Sequence, residues 1–370
     1  MSKRPPAAPF ISKRLAKLRE AMAEAKVASL LVTYYPDVSY LTGFEGDDSY
    51  LLLTEGRETL ISDTRYEEQI QREAPWLAVA MRKKNILEET AKLVKKAKIE
   101  KLGVQSEAMT LRQKSSLLGF FKKSKPKLKP VSDIVVNLRH IKDAEEIAIT
   151  EKAIRIAEGA FEALRPQIRP GMMEGDIAGL LGYEMRKRGA LNSSFDTIVG
   201  AGANGSLPHY RPGAVALEND SALLVDWGAR AYGYCSDLTR VVFAGKVNPK
   251  IAEIYKVVLE AQMAAIAAIK PGMKGKKVDR VARDIIEKAG YGKQFGHGLG
   301  HGLGRDIHEA ISLSKYSKTV LKPGMIVTVE PGIYLPGVGG VRIEDDILVT
   351  ETGCRVLSSL PKDLAWAQLG

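Results

Sequence analysis

The chain is poor in cysteine. Cys235 and Cys354 are the only two among 370 residues, too few for a disulfide framework, and a reducing cytoplasm is the compartment this suits. Long apolar runs are missing too. None reaches 18 residues, so no membrane span is expected. The first residues, MSKRPPAAPFISKRLAKLRE, are basic with no apolar stretch behind them, which is not the pattern of a secretory signal. Several catalytic signatures are also absent. His308-Glu309 is not followed by a histidine at zincin spacing, and there is no G-x-x-x-x-G-K-[ST] phosphate loop. The glycine-rich stretch near residue 300 does not sit between a strand and a helix as a dinucleotide fingerprint requires, and no G-x-S-x-G elbow occurs.

What is present is a globular composition, 45% hydrophobic, at a length that suggests two domains. The net charge of +11 is uneven: residues 1–142 carry +10 and residues 143–370 carry +1. Much of the excess lies in AKLVKKAKIEK and FFKKSKPKLKP. Aromatics for base stacking are limited to Phe120 and Phe121, and no recognition motif accompanies them. The run therefore reads as a solvated lysine face, with nucleic acid not expected as a partner.

Apolar residues Leu15, Leu18, Met22 and Ala25 recur at helical spacing over residues 12–26. Residues 28–35 (ASLLVTYY) read as a buried strand, and residues 49–62 as a hairpin turning at Glu55-Gly56. A helix near residues 66–72 follows, then alternating helix and strand to about Val136. At Asp143 the texture changes to a long amphipathic helix, DAEEIAITEKAIRIAEGAFEAL, with acids in its first turn where the dipole favours them. The boundary falls near residues 139–143.

The second part repeats itself. IRPGMMEGDIAGLLGYEMRKRGA starts at Ile168 and IKPGMKGKKVDRVARDIIEKAGY at Ile269. Each is followed by a pair of apolar strands bearing acids: Asp226 and Asp237 in the first half, Glu330 and Glu344 in the second. Asp226 and Glu330 are 104 residues apart and Asp237 and Glu344 are 107 apart, close to the 101 that separate Pro170 from Pro271. Two related halves, each offering one hairpin with two carboxylates, are implied. A carboxylate within an apolar strand is costly unless paired or bound to metal. His297, His301 and His308 fall within FGHGLGHGLGRDIHEA, among glycines that permit close approach to a ligand. Four carboxylates and an imidazole make a hard, oxygen-rich site that suits Mn²⁺, Co²⁺ or Fe²⁺ at least as well as Zn²⁺. Charge balance asks for two divalent ions.

Four segments, DWGARAYGYCSDLTR, GHGLGHGLGRDIHE, VTVEPGIYLPGVGGVRIEDD and SLPHYRPG, resemble in sequence and order the creatinase, aminopeptidase P, prolidase and methionine aminopeptidase group. DVSYLTGF and DTRYEEQ resemble that group's N-terminal domain. The resemblance implies an α+β chain: a pita-bread catalytic domain over residues 143–370 and a smaller N-terminal α/β domain of the creatinase/prolidase type over residues 1–140. It implies a metallo-exopeptidase of the Xaa-Pro type, cutting the bond before proline with a hydroxide that bridges two metals, Mn²⁺ foremost. By that likeness Asp226 would bind one metal through both oxygens, Asp237 and Glu344 would bridge, and His301 and Glu330 would complete the second metal's ligands. Glu330 would also move a proton, His308 would hydrogen-bond the scissile carbonyl, and His209 would hold the substrate and the leaving nitrogen. His297, Tyr334 and Arg342 match positions that support substrate and ligands. The partners implied are a proline-containing peptide and a second copy of the chain. HEAISLS after His308 departs from the proline and arginine common in relatives, which bears on the pocket wall and not on the metals. The alternative reading is a non-catalytic pita-bread module that binds a peptide or protein partner in its cleft.

Overall fold

The computed structural model describes residues 4–122 and 124–369, in two compact units that divide between Arg139 and His140. Lys123 of the lysine-rich run lies outside the described residues.

The first unit is a six-stranded mixed sheet. Its strands are β1 (Leu30–Val32), β2 (Tyr50–Thr54), β3 (Arg57–Ser62), β4 (Ala78–Met81), β5 (Lys101–Gln105) and β6 (Lys127–Val131), ordered β4-β3-β2-β1-β5-β6. Strand alternation gives the sheet two apolar faces. Leu30, Val32, Leu51, Leu53 and Leu60 pack with Ile11, Leu15 and Leu18 of α1 (Pro9–Glu24). Leu31, Leu52 and Ile61 pack with Leu87, Ala91 and Val94 of α4 (Ile86–Lys96) and Leu117 of α5 (Leu111–Gly119). The hairpin turns at Glu55-Gly56 as expected, and the expected helix near residue 66 is α3 (Glu67–Glu73). The strand read over residues 28–35 is shorter than expected. It stops at Val32, and Tyr35 opens α2 (Tyr35–Thr42) with Pro36 in the first turn, where its missing N–H costs nothing. The buried Asp37 carboxylate on α2 receives Arg139 at 2.7 Å, from the short α6 (Val136–Arg139), and Gln105 at 2.5 Å.

The lysine-rich run has structural employment. β6 is an edge strand, and Lys127, Lys129 and Pro130 on it discourage pairing with a foreign strand. Lys129 Nζ donates to Ala25 O and Lys101 Nζ to Lys26 O, each at 2.6 Å. Both sit at the carbonyl end of α1, where a helix favours positive charge.

The second unit has two helix pairs, α7 (Ala144–Leu164) with α8 (Glu174–Lys187), and α9 (Pro249–Ala268) with α10 (Gly275–Lys288). Asp143 starts α7 through a reciprocal cap with Glu146, both bonds 3.0 Å. The strands are β7 (Asn192–Ser193), β8 (Ile198–Ala201), β9 (Ser221–Trp227), β10 (Ala229–Ala231), β11 (Tyr234–Cys235), β12 (Leu238–Ala244), β13 (Gly300–Gly302), β14 (Glu309–Leu313), β15 (Ile326–Val329), β16 (Gly332–Leu335), β17 (Gly339–Arg342), β18 (Asp345–Val349) and β19 (Cys354–Val356). They form the sheets β12-β9-β8, β14-β13-β15-β18-β19, β11-β10-β7 and β16-β17. A last short helix, α11 (Leu364–Ala367), closes the chain against β12.

The sequence repeat is a repeat of hydrogen bonds. Gly171 N donates to Leu217 O at 2.8 Å and Gly272 N to Leu321 O at 2.9 Å. Leu217 N returns to Met172 O at 2.8 Å and Leu321 N to Met273 O at 2.9 Å. The bridges Met173↔Ala216 and Lys274↔Val320 complete the correspondence.

Alternation again decides which face is which. On β9, Leu223, Val225 and Trp227 pack against α7 and α8, and Trp227 stacks on Phe161 with ring centroids 4.5 Å apart. Asp226 therefore points the other way. On β15, Val327 and Val329 join the core under α9 and α10, so Thr328 faces away from it. The two sheets meet through the bridge Thr239↔Glu344. Residues 341–350 do not run as one strand. The chain leaves β17 after Arg342 and joins β15 as β18 at Asp345, so Glu344 stands in the step between two sheets. No helix among the described residues is long and apolar enough to cross a membrane.

Candidate metal centre and catalytic cavity

One cavity of about 700 Å³ is lined by Asp226, Asp237, His301, Glu330 and Glu344 together with His209, His297, His308, Tyr334 and Arg342. All ten residues singled out from the sequence thus share one space. Each of Asp237, His301 and Glu344 offers a ligand atom within 4.8 Å of the other two.

The strands explain the convergence. Asp226 near the end of β9 lies opposite Thr239 of β12, and Asp237 immediately precedes β12. Glu330 follows β15, and its N–H donates to Leu299 O at 2.8 Å. Glu344 N donates to Thr239 O at 3.2 Å. His301 is central in β13, which threads between β14 and β15. That passage needs Gly300: a Cβ there would fall 2.0 Å from Thr328 O.

The hydrogen bonds assign the protons. His301 Nδ1 lies 3.1 Å from the carbonyl of Gly302 and must donate to it. Nε2 then faces Asp237 Oδ2 and Glu330 Oε1, each at 3.4 Å. His301 Nε2, Asp237 Oδ2 and Glu330 Oε1 thus form a cluster of donor atoms of the kind that holds a cation. Asp226 Oδ1 and Glu344 Oε1 are buried without any hydrogen-bond partner. An unpartnered buried carboxylate oxygen is costly. This donor set fits divalent metal ions, which supply the missing positive charge. The expected two-oxygen contact from Asp226 meets competition, because its Oδ2 already accepts from Arg342 at 2.6 Å.

Burial shifts the acids strongly. Desolvation first, then neighbouring carboxylates, pushes Asp237 and Glu344 well above the usual carboxylate range. Asp226 is raised by burial against the pull of Arg342. In such an enclosure Asp226, Asp237 and Glu344 are not comfortably anionic without a counter-charge.

Arg342 is the fixed cation. It reaches Asp226, Tyr334 OH at 2.7 Å and Thr239 Oγ1 at 3.1 Å. Tyr334 OH in turn meets His297 Nε2 at 2.9 Å, while His297 Nδ1 is 2.8 Å from Gly298 O. His297 is thus the Nδ1–H tautomer, and burial lowers its pKa. Burial raises Tyr334 to about 12. His308 packs edge-on against His301, ring centroids 4.3 Å apart, and burial followed by His301 lowers its pKa. His209 stands at the cavity mouth on the loop after β8.

Four supporting residues escaped the sequence reading. Thr239 Oγ1 donates to Glu344 Oε2 at 2.6 Å. Thr328 Oγ1 accepts from His301 N at 3.1 Å and donates to Glu330 Oε1 at 3.2 Å. Asp346 accepts from Asp237 N at 3.1 Å. Asp279 of α10 accepts from Leu299 N at 3.1 Å and pairs with Arg283, which holds Phe295 O and His297 O. The available signal for the threonines was period two: Thr239 lies two residues from Asp237 and Thr328 two from Glu330, on the same strand face.

A fold of paired halves with carboxylates and an imidazole at their meeting point defines a metal-dependent hydrolase of the pita-bread type. The chain belongs to metallopeptidase family M24: that family's model matches residues 148–351, and the creatinase/prolidase N-terminal domain matches residues 14–141. It is similar to an Xaa-Pro dipeptidase of Pyrococcus furiosus, 38% identical over 355 residues, covering 96% of this chain and 100% of that one. Among solved structures it resembles an Xaa-Pro dipeptidase from Bacillus anthracis, with a TM-score of 0.92, 41% identity, and 97% and 100% of the two chains covered. It also resembles an X-Pro aminopeptidase from Thermotoga maritima, with a TM-score of 0.88, 35% identity, and 95% and 99% covered.

Proposed function

We propose that this metallopeptidase hydrolyses the Xaa-Pro bond, at the N-terminus of peptides or in Xaa-Pro dipeptides. The observation that carries the reading is the convergence of Asp237, His301 and Glu344 within 4.8 Å, beside two buried carboxylate oxygens that lack any proton donor. Similarity to both an Xaa-Pro dipeptidase and an X-Pro aminopeptidase supports the substrate class.

Asp226, Asp237, His301, Glu330 and Glu344 would hold two divalent ions, Mn²⁺ first on this oxygen-rich set, with Co²⁺, Fe²⁺ and Zn²⁺ as rivals. When bound, such a pair polarises the scissile carbonyl and activates water near neutral pH. The remaining roles belong to side chains. Glu330, oriented by Thr328, takes and returns the proton. His308, neutral near pH 7, donates a hydrogen bond to the carbonyl oxygen as negative charge develops. His209 steadies the substrate and leaving nitrogen at the mouth. Arg342, Tyr334 and His297 form one hydrogen-bonded chain that fixes the wall and neutralises Asp226. Two free thiols, Cys235 and Cys354, suit the reducing cytoplasm. A homodimer is the assembly that family likeness implies, and sedimentation tests it.

The deciding experiment purifies the chain free of metal, restores Mn²⁺ or Co²⁺, and offers Xaa-Pro dipeptides and Xaa-Pro-Yaa tripeptides. Hydrolysis of either supports the reading, and their ratio separates dipeptidase from aminopeptidase action. Stoichiometric metal binding with no hydrolysis of any of them defeats it.

A further inference from the structure

His209 makes no hydrogen bond of its own among the described residues, so its place depends on the main chain that carries it. That main chain is tied to a buried acid outside the cavity lining. Glu174, the first residue of α8 and fully buried, accepts from four donors. One oxygen receives Ala201 N at 2.8 Å and Asn204 Nδ2 at 2.9 Å. The other receives Tyr210 OH at 2.8 Å and Gly213 N at 3.4 Å. Asn204 Nδ2 also donates to Tyr210 OH at 2.9 Å. The strap over residues 201–213 is therefore clasped at both ends and beside His209 itself.

The duplicate half builds the corresponding turn without an acid. Glu174 N donates to Val215 O and Gly275 N to Thr319 O, both at 2.9 Å, so the two residues occupy equivalent places. The second half builds the same helix start with a glycine. The carboxylate is an addition to the half that carries His209.

We propose that Glu174 is a positioning residue for the reaction: it fixes the strap so that His209 stands at the cavity mouth. This rests on the role given to His209 above. Glutamine at this position fills the same volume but offers one acceptor atom to four donors. Tyr210 OH can turn to accept, whereas an amide N–H of the strap is left without a partner.

The test compares Glu174→Gln, His209→Ala and the double variant with the full-length chain loaded with Mn²⁺. Amide hydrogen exchange is read over residues 201–213, alongside metal content and kcat/KM on Xaa-Pro substrates. Glu174→Gln is expected to speed exchange at Ala201 and Gly213, keep wild-type metal content and lose about 10²-fold in kcat/KM, the scale of a small misplacement. The double variant is expected to be no slower than His209→Ala alone. Unchanged exchange in Glu174→Gln overturns the proposal, as do losses that multiply in the double variant. If the loaded chain cleaves no Xaa-Pro substrate, the functional reading fails separately, and exchange still decides whether Glu174 holds the strap.

Discussion

His308 has no hydrogen-bond partner among the described residues, and its pKa lies below the ordinary histidine value because of burial and His301. It stays neutral near pH 7 with one N–H to donate. His308→Ala is expected to retain metal and lose about 10²–10³ in turnover, the usual effect of removing one such donor. Metal analysis and kcat on the same preparation check this, and metal loss would contradict the role. Thr328 is the complementary case. It links His301 N to Glu330, so Thr328→Val leaves both without their partner. Metal affinity is expected to fall about 10–100-fold, measured by competition with a chromophoric chelator. The acids were legible because charge inside an apolar strand advertises a purpose, and His297, His301 and His308 because they cluster among glycines. Thr239 and Thr328 were not, because a threonine is unremarked in a strand. Glu174 was hidden differently: an acid at a helix start already has an electrostatic reason to be there.

Elements follow the same division. The amphipathic helices were legible from their period, and acids in the first turn marked the start of α7, which the structure closes with the reciprocal cap of Asp143 and Glu146. The strand ends were less so. Hydrophobicity continues from Val32 into Tyr35, and only Pro36 marks the change to α2. Hydrophobicity likewise spans Val341 to Val349, although the chain changes sheets at Glu344. Such a switch depends on which strand lies alongside, a long-range fact with no local mark. β13 has a local mark in its glycines. At Gly300 an alanine Cβ would sit 2.0 Å from Thr328 O, a main-chain atom of the neighbouring strand β15. Gly300→Ala is expected to push β13 from β15 and destabilise the fold by about 3 kcal/mol, at the upper end of overpacking. A lowered urea midpoint with an unchanged slope would confirm it. A midpoint equal to that of the parent chain would show that the strands part at no cost.

For the molecule entire, two sets of acids oppose each other. Burial raises Asp226, Asp237, Glu344 and Asp346. Without metal these groups hold protons more tightly folded than unfolded. Their support is complete below the ordinary carboxylate range and is lost as pH rises through the raised values. Asp63 and Asp345 behave oppositely. Hydrogen bonds from Arg65 and Arg82 lower Asp63, and for Asp345 burial is outweighed by Arg240 and Lys362. Their support is present at neutral pH and lost as pH falls through the depressed values. The metal-free chain is therefore expected to be most stable at mildly acidic pH. Added Mn²⁺ is expected to take the place of protons at neutral pH, contributing about 2.7 kcal/mol at a hundred times its dissociation constant. Protons compete for the same oxygens, so this increment must shrink as pH falls from about 8 to about 5. Denaturant unfolding at several pH values, with chelator and with Mn²⁺, measures it directly. An increment that stays constant or grows in acid would mean that the ion binds somewhere other than these buried carboxylates.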